Sequence, residues 1–78
     1  MLQQRMEVAQ LHNRYDLLTP REREVLALLV TGLLNKQIAG ELATTERTIK
    51  FHRANIMRKM RAESVADLVK IAQKLGLI

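Results

Sequence analysis

The stretch TTERTIKFHRANIMRKMR, residues 44–61, decides the reading of this chain of 78 residues. Thr45 is a residue type suited to cap a helix, and Glu46 follows it where a carboxylate favours the positive end of the helix dipole. At about 100° per residue, His52, Ile56 and Met60 fall within roughly 60° of Ile49, which predicts a mostly apolar side turned to a core. Arg47, Lys50, Phe51, Ala54, Arg58 and Arg61 fall in an arc roughly 100° to 200° away. That arc is basic, with a small residue near its middle, and a small residue lets a helix approach another surface closely. Phe51 has two places open to it: exposed on the arc, or filling a gap against the helix that follows. Arg53 lies roughly 40° from the core direction, so it either reaches sideways or snorkels. His52, near the apolar side, reads as a packed, hydrogen-bonded histidine rather than a ligand.

The charge points to the same stretch. Residues 1–18, 19–43 and 62–78 each balance to zero, while residues 44–61 hold Arg47, Lys50, Arg53, Arg58, Lys59 and Arg61 against Glu46 alone. The whole net charge of +5 therefore sits in one element. A basic stripe so confined is the electrostatic footprint of a phosphate-backbone binder, and a solvated helix face is the plainer alternative.

Outward from that helix, punctuation divides the chain into short helices. Thr19-Pro20-Arg21-Glu22 reads as an N-cap, a proline in the first turn and a capping-box glutamate. Val25, Leu26, Leu28 and Leu29 supply an apolar face, and Gly32 suits a left-handed C′ position. Asn35 is the expected cap of a second helix in which Ile38, Ala39 and Leu42 share one side. Thr44-Thr45 breaks the pattern before the basic helix, which is predicted over residues 46–60. Ser64 and Asp67 form another capping box, opening a fourth helix over Ser64–Leu75 that Gly76 closes. Residues 1–17 read as a helical linker, with Leu2, Met6 and Ala9 on one stripe and Val8, Leu11 and Tyr15 on another.

The composition narrows the classes. One domain is the most that this length allows, and a chain this short buries only about 60% of its unfolded surface. There is no cysteine, so no disulfide or zinc knuckle reinforces it and a reducing compartment fits. The apolar fraction of 47% is globular, with no stretch long enough for a membrane span. With aromatics at 3%, the apolar set favours packed helices over a sheet. The expected fold is all-α: a compact four-helix domain with the linker helix ahead of it. No catalytic constellation is legible, since Ser64 is accounted for as a cap and there is neither an HExxH nor a glycine-rich phosphate loop. The expectation is therefore no enzyme, no cofactor and no metal.

Two short helices joined by a tight turn, the second one basic, form the helix-turn-helix pattern, here over about residues 35–54. Ala39 and Ile49 would meet where the two helices cross. An ordinary αα-hairpin in a bundle is the alternative.

At this point the residues resemble a known family. Leu18-Thr19-Pro20-Arg21-Glu22-Arg23-Glu24-Val25-Leu26, then Gly32, Asn35-Lys36-Gln37-Ile38-Ala39, and Arg47-Thr48-Ile49-Lys50-Phe51-His52 are similar to the LuxR/GerE-type DNA-binding domain. The match runs from about Leu17 to Gly76. Within that family, residues 32–42 and 52–57 look closest to FixJ-like response regulators, in which a receiver domain precedes the DNA-binding domain. The resemblance implies a domain over residues 18–78, sequence-specific binding of double-stranded DNA, and a recognition helix at residues 46–60 in the major groove. It implies base-facing positions at Lys50, Phe51 and Ala54, which the angular reading reaches independently. Lys36 and Thr48 take backbone-contacting positions, and Thr45, Arg47, Arg53, Arg58 and Arg61 join them as phosphate ligands. A role as caps alone is the alternative for Thr45 and Thr48.

The family pairs through the fourth helix, so Val65, Leu68, Val69, Ile71 and Ala72 are the interface candidates. A helix this apolar must first cover its own domain, which leaves Ile71 and the two edges for a partner. The further partners implied are an operator duplex, RNA polymerase and the upstream receiver, with no membrane, in a cytoplasmic protein. Three rivals remain: region 4 of a sigma factor, which can open with a similar Leu-Thr-Pro-Arg-Glu run; a basic helical protein-interaction module; and, more weakly, an amphipathic membrane-surface helix.

Overall fold

A computed structural model describes residues 2–78, apart from the side chains of Leu2 and Gln4. The described residues form five helices and no strand: α1 (Leu2–Asp16), α2 (Pro20–Leu29), α3 (Asn35–Glu41), α4 (Glu46–Met60) and α5 (Val65–Lys74). The basic helix is α4, and α2 to α5 are the expected four.

Local chemistry sets most of the boundaries. At α2 the Thr19 hydroxyl accepts from the Glu22 N–H at 3.1 Å, and the Glu22 carboxylate accepts from the Thr19 N–H at 2.9 Å. Both halves of the capping box are thus formed. Ser64 caps α5 by accepting from the Asp67 N–H at 3.0 Å, while the Asp67 carboxylate reaches one residue further back, to the Glu63 N–H. At the far end of α5, Gly76 (φ 72°) carries the chain through a left-handed turn. Its N–H bonds the Gln73 carbonyl and the Leu77 N–H bonds Ala72, a Schellman closure. Gly32 adopts φ 92°, but two residues beyond the C-cap Val30 rather than next to it.

Asn35 is not the cap of α3. Leu34 holds the N-cap position, with its N–H donated to the Gln37 side chain at 2.8 Å, and Asn35 is the first helical residue.

The core draws on every helix. Leu11, Val25, Leu26, Leu29, Ile38, Ala39, Ile49, Ile56, Met60, Leu68 and Ile71 are buried in one cluster with Leu18. Val25, Ile38, Ile49, Ile56, Met60 and Leu68 are fully buried, and α4 alone supplies three of those six. Of the two stripes on α1, the one with Val8, Leu11 and Tyr15 is turned inward, whereas Met6 and Ala9 are exposed. The Leu2 side chain lies outside the described residues. The helix read as a linker therefore contributes a core residue. The Arg23 guanidinium, 4.9 Å from the centre of the Tyr15 ring, ties it to α2.

Candidate nucleic-acid interface

The interface is built on α4. Its inner line is apolar and spent on the core, so the opposite side has to face solvent. Arg47, Lys50, Phe51, Ala54, Arg58 and Arg61 are all exposed, as the angular reading expects. Phe51 is 65% exposed, which settles its two options in favour of the outer arc. His52 is half-buried on the flank, its ring 5.9 Å from that of Phe51.

The turn that presents α4 runs through Leu42, Ala43 and Thr44. Ala43 sits at φ 52°, where a side chain is strained and glycine is the usual occupant. Thr44 N–H closes on the Ala39 carbonyl at 2.9 Å. From α2, the Arg21 guanidinium donates to the Leu42 carbonyl at 3.0 Å, a bracket across the end of α3. Thr45 then caps α4: its hydroxyl accepts from the Thr48 N–H at 3.1 Å and donates to the Thr48 hydroxyl at 3.0 Å. Thr45 is exposed and Thr48 half-buried. Lys36 is exposed on the first turn of α3.

Two of the six cations in residues 44–61 are tied to other helices. Lys59 Nζ lies 2.6 Å from Glu22 Oε1, and the Glu22 side chain is 4% exposed. Burial alone would push the Glu22 carboxyl up. The Lys59 hydrogen bond, the Thr19 N–H and the Lys59 charge outweigh it and hold the group below its ordinary value. Arg53, half-buried, donates to the Asn35 carboxamide oxygen at 3.3 Å and so joins α4 to the start of α3. Arg58 leans on Asn55 at 3.0 Å but stays exposed. Arg61 takes the left-handed residue that ends α4, at φ 53°.

Sequence reasoning assigned Lys59 only a share of the local charge and missed both its partner and the Asn35–Arg53 link. These pairs are 37 and 18 residues apart, beyond any local pattern. On α5 one expectation is corrected. Ile71, expected to be left for a partner, is 8% exposed, and Leu68 and Ala72 are buried with it. These three are spent on the chain's own core, because they share the apolar side of α5. Val65 and Val69 remain half-buried, at the edges.

Among the described residues no group of His, Cys, Asp or Glu is placed to hold a metal ion, and no helix is long and apolar enough to cross a membrane.

A tight-turned helix pair that turns a basic, partly apolar face outward defines a helix-turn-helix DNA-binding domain. The family described as "Bacterial regulatory proteins, luxR family" matches residues 16–72, and the chain belongs to it. Nodulation protein W of Bradyrhizobium diazoefficiens is 47% identical over 70 residues, which cover 90% of this chain and 31% of that protein. Response regulator protein TodT of Pseudomonas putida is 47% identical, over 87% of this chain and 30% of its own length. The chain thus spans about a third of these relatives. The solution structure of the C-terminal transcriptional activator domain of FixJ from Sinorhizobium meliloti superposes with a TM-score of 0.74 at 45% identity. It covers 86% of this chain and 85% of that domain. The chain is a LuxR-type helix-turn-helix domain of the response-regulator kind, and its class of function is DNA-binding transcription regulation.

Proposed function

We propose that residues 18–78 bind an operator duplex in a sequence-specific manner with α4 in the major groove. The observation that carries this reading is the orientation of α4: Ile49, Ile56 and Met60 have no exposed surface while Arg47, Lys50, Phe51, Ala54 and Arg58 all face outward. Lys50 is assigned to guanine O6 and N7, with Phe51 and Ala54 beside it on the base edges. Arg47, Arg58, Arg61, Lys36 and the Thr48 hydroxyl, which Thr45 orients by donating to it, are assigned to phosphates, which fix register without reading sequence. Arg53 joins them from the flank, held in place by Asn35.

The wider setting rests on the relatives. The chain matches a domain titled C-terminal and covers 30% of a response regulator, which supports a receiver domain upstream with residues 1–17 leading from it. Pairing on DNA is assigned to the half-exposed edges of α5 at Val65 and Val69, and regulation of transcription implies contact with RNA polymerase. A duplex target places this work in the bacterial cytoplasm, and the reading requires no catalysis.

Selection from random duplexes tests it. An enriched inverted repeat is expected, since operator symmetry mirrors a two-fold protein pair. Affinity for the enriched site should fall steeply with salt, as about 4–8 phosphate contacts release their counterions. Ala54→Glu should abolish binding with helicity unchanged. No enrichment, or a flat salt response, would overturn the assignment of α4 to the groove.

A further inference from the structure

Arg47, Phe51, Ala54 and Arg58 recur at intervals of four, three and four residues along α4, and all four are exposed. At 1.5 Å per residue the two arginines stand about 16 Å apart along the helix, with an apolar pair between them. Cations so placed can reach phosphates at the groove walls and leave the centre over base edges. That centre is unusual in its chemistry. Phe51 is the chain's only phenylalanine and leaves 65% of its surface in water. Its ring lies against the half-buried His52 ring at 5.9 Å and an interplanar angle of 59°, which supports it from one side. Ala54, one turn on, adds a methyl group and no bulk.

A phenyl ring has no hydrogen bond to give a base. The apolar group that a base pair shows in the major groove is the C5-methyl of a pyrimidine. Thymine carries it always, and cytosine carries it when methylated at C5. We propose that Phe51 and Ala54 together form a receptor for a pyrimidine C5-methyl group, so that binding responds to cytosine methylation as well as to thymine. The proposal rests on the duplex-binding reading above and adds to it a sensitivity to modified DNA. A charged or amide side chain at residue 51 would read a purine edge instead. The aromatic ring trades that hydrogen bond for methyl selectivity.

The experiment uses the whole chain and the duplex enriched by selection, at one fixed salt concentration. Each thymine in turn is replaced by deoxyuridine, which removes only the methyl group. Each T·A pair is also replaced by C·G, with the cytosine either plain or C5-methylated. At one position per half-site, deoxyuridine should weaken binding about three- to tenfold, and C5-methylation of cytosine there should strengthen it by a similar factor. Phe51→Ala, at an exposed position and checked for helicity by circular dichroism, should erase both differences. A wild-type protein indifferent to every methyl group, or a Phe51→Ala variant that keeps the preference, overturns the proposal and leaves the duplex-binding reading standing. Failure to enrich any duplex removes both.

Discussion

Along the inner face of α4, Ile49, Ile56 and Met60 are fully buried, whereas along its outer face Arg47, Phe51, Ala54 and Arg58 stand in solvent. Between them, on the two opposite flanks, cations are tied to other helices, Lys59 to Glu22 on α2 and Arg53 to Asn35 on α3. Arg58 and Lys59 are neighbours in sequence with the same charge. A rotation of about 100° leaves the first exposed on the outer face and commits the second to the fold. Charge along a helix is therefore not one property but two, sorted by angle.

Substitutions on each face should separate these tasks, the inner face most strongly. Ile56→Ala removes a fully buried side chain, and denaturant unfolding should show a loss of about 2–5 kcal/mol. In a domain this small that is a large share of the total stability. On the outer face Lys50→Ala should leave stability unchanged and cost about 1–3 kcal/mol of binding on the best duplex, with relaxed preference at one position. Equal weakening on all duplexes would move Lys50 to the phosphate-contacting set.

The flank with Lys59 carries a pH signature. Glu22 is held below its ordinary value when folded, so it adds stability above the unfolded carboxylate range, near pH 4.3. That contribution is lost as pH falls through the lower folded value. Glu22→Gln should flatten this part of the acid limb in unfolding curves measured across pH, and a parallel acid limb would show that other carboxylates dominate. The two neighbouring cations give a sharper contrast. Arg58→Ala should reduce the salt slope of duplex binding by about 0.9, one counterion's worth, whereas Lys59→Ala should leave the slope unchanged and lower stability. The smallest effect belongs to the turn that joins α3 to α4. Ala43→Gly relieves a left-handed alanine and should raise stability by about 0.5–1 kcal/mol in the same unfolding assay.

Much of this was legible in the residues. The capping chemistry at Thr19, Thr45 and Ser64 is local, so the helix starts follow from residues three apart. The outward arc of α4 follows from one angle per residue and one apolar line. Asn35 marks where that logic stops: by type it should cap α3, yet its side chain receives Arg53 from a helix 18 residues on, and Leu34 takes the cap position. Ile71 marks another such point. Leu68, Ile71, Ala72 and Leu75 share one side of α5 at helical spacing, but that spacing does not say whether the side meets the chain's own core or a partner, and burial decided the matter.

By itself the sequence determined an all-helical domain, the helix that carries its charge, and the residues on that helix's outer side. These depend on short-range hydrogen bonding and on the fixed pitch of a helix. The tertiary structure alone decided which cations are free, because an ion pair such as Glu22–Lys59 forms only when chain segments 37 residues apart are packed together. It likewise decided that Phe51 remains in water, a choice that the helical angle alone left open.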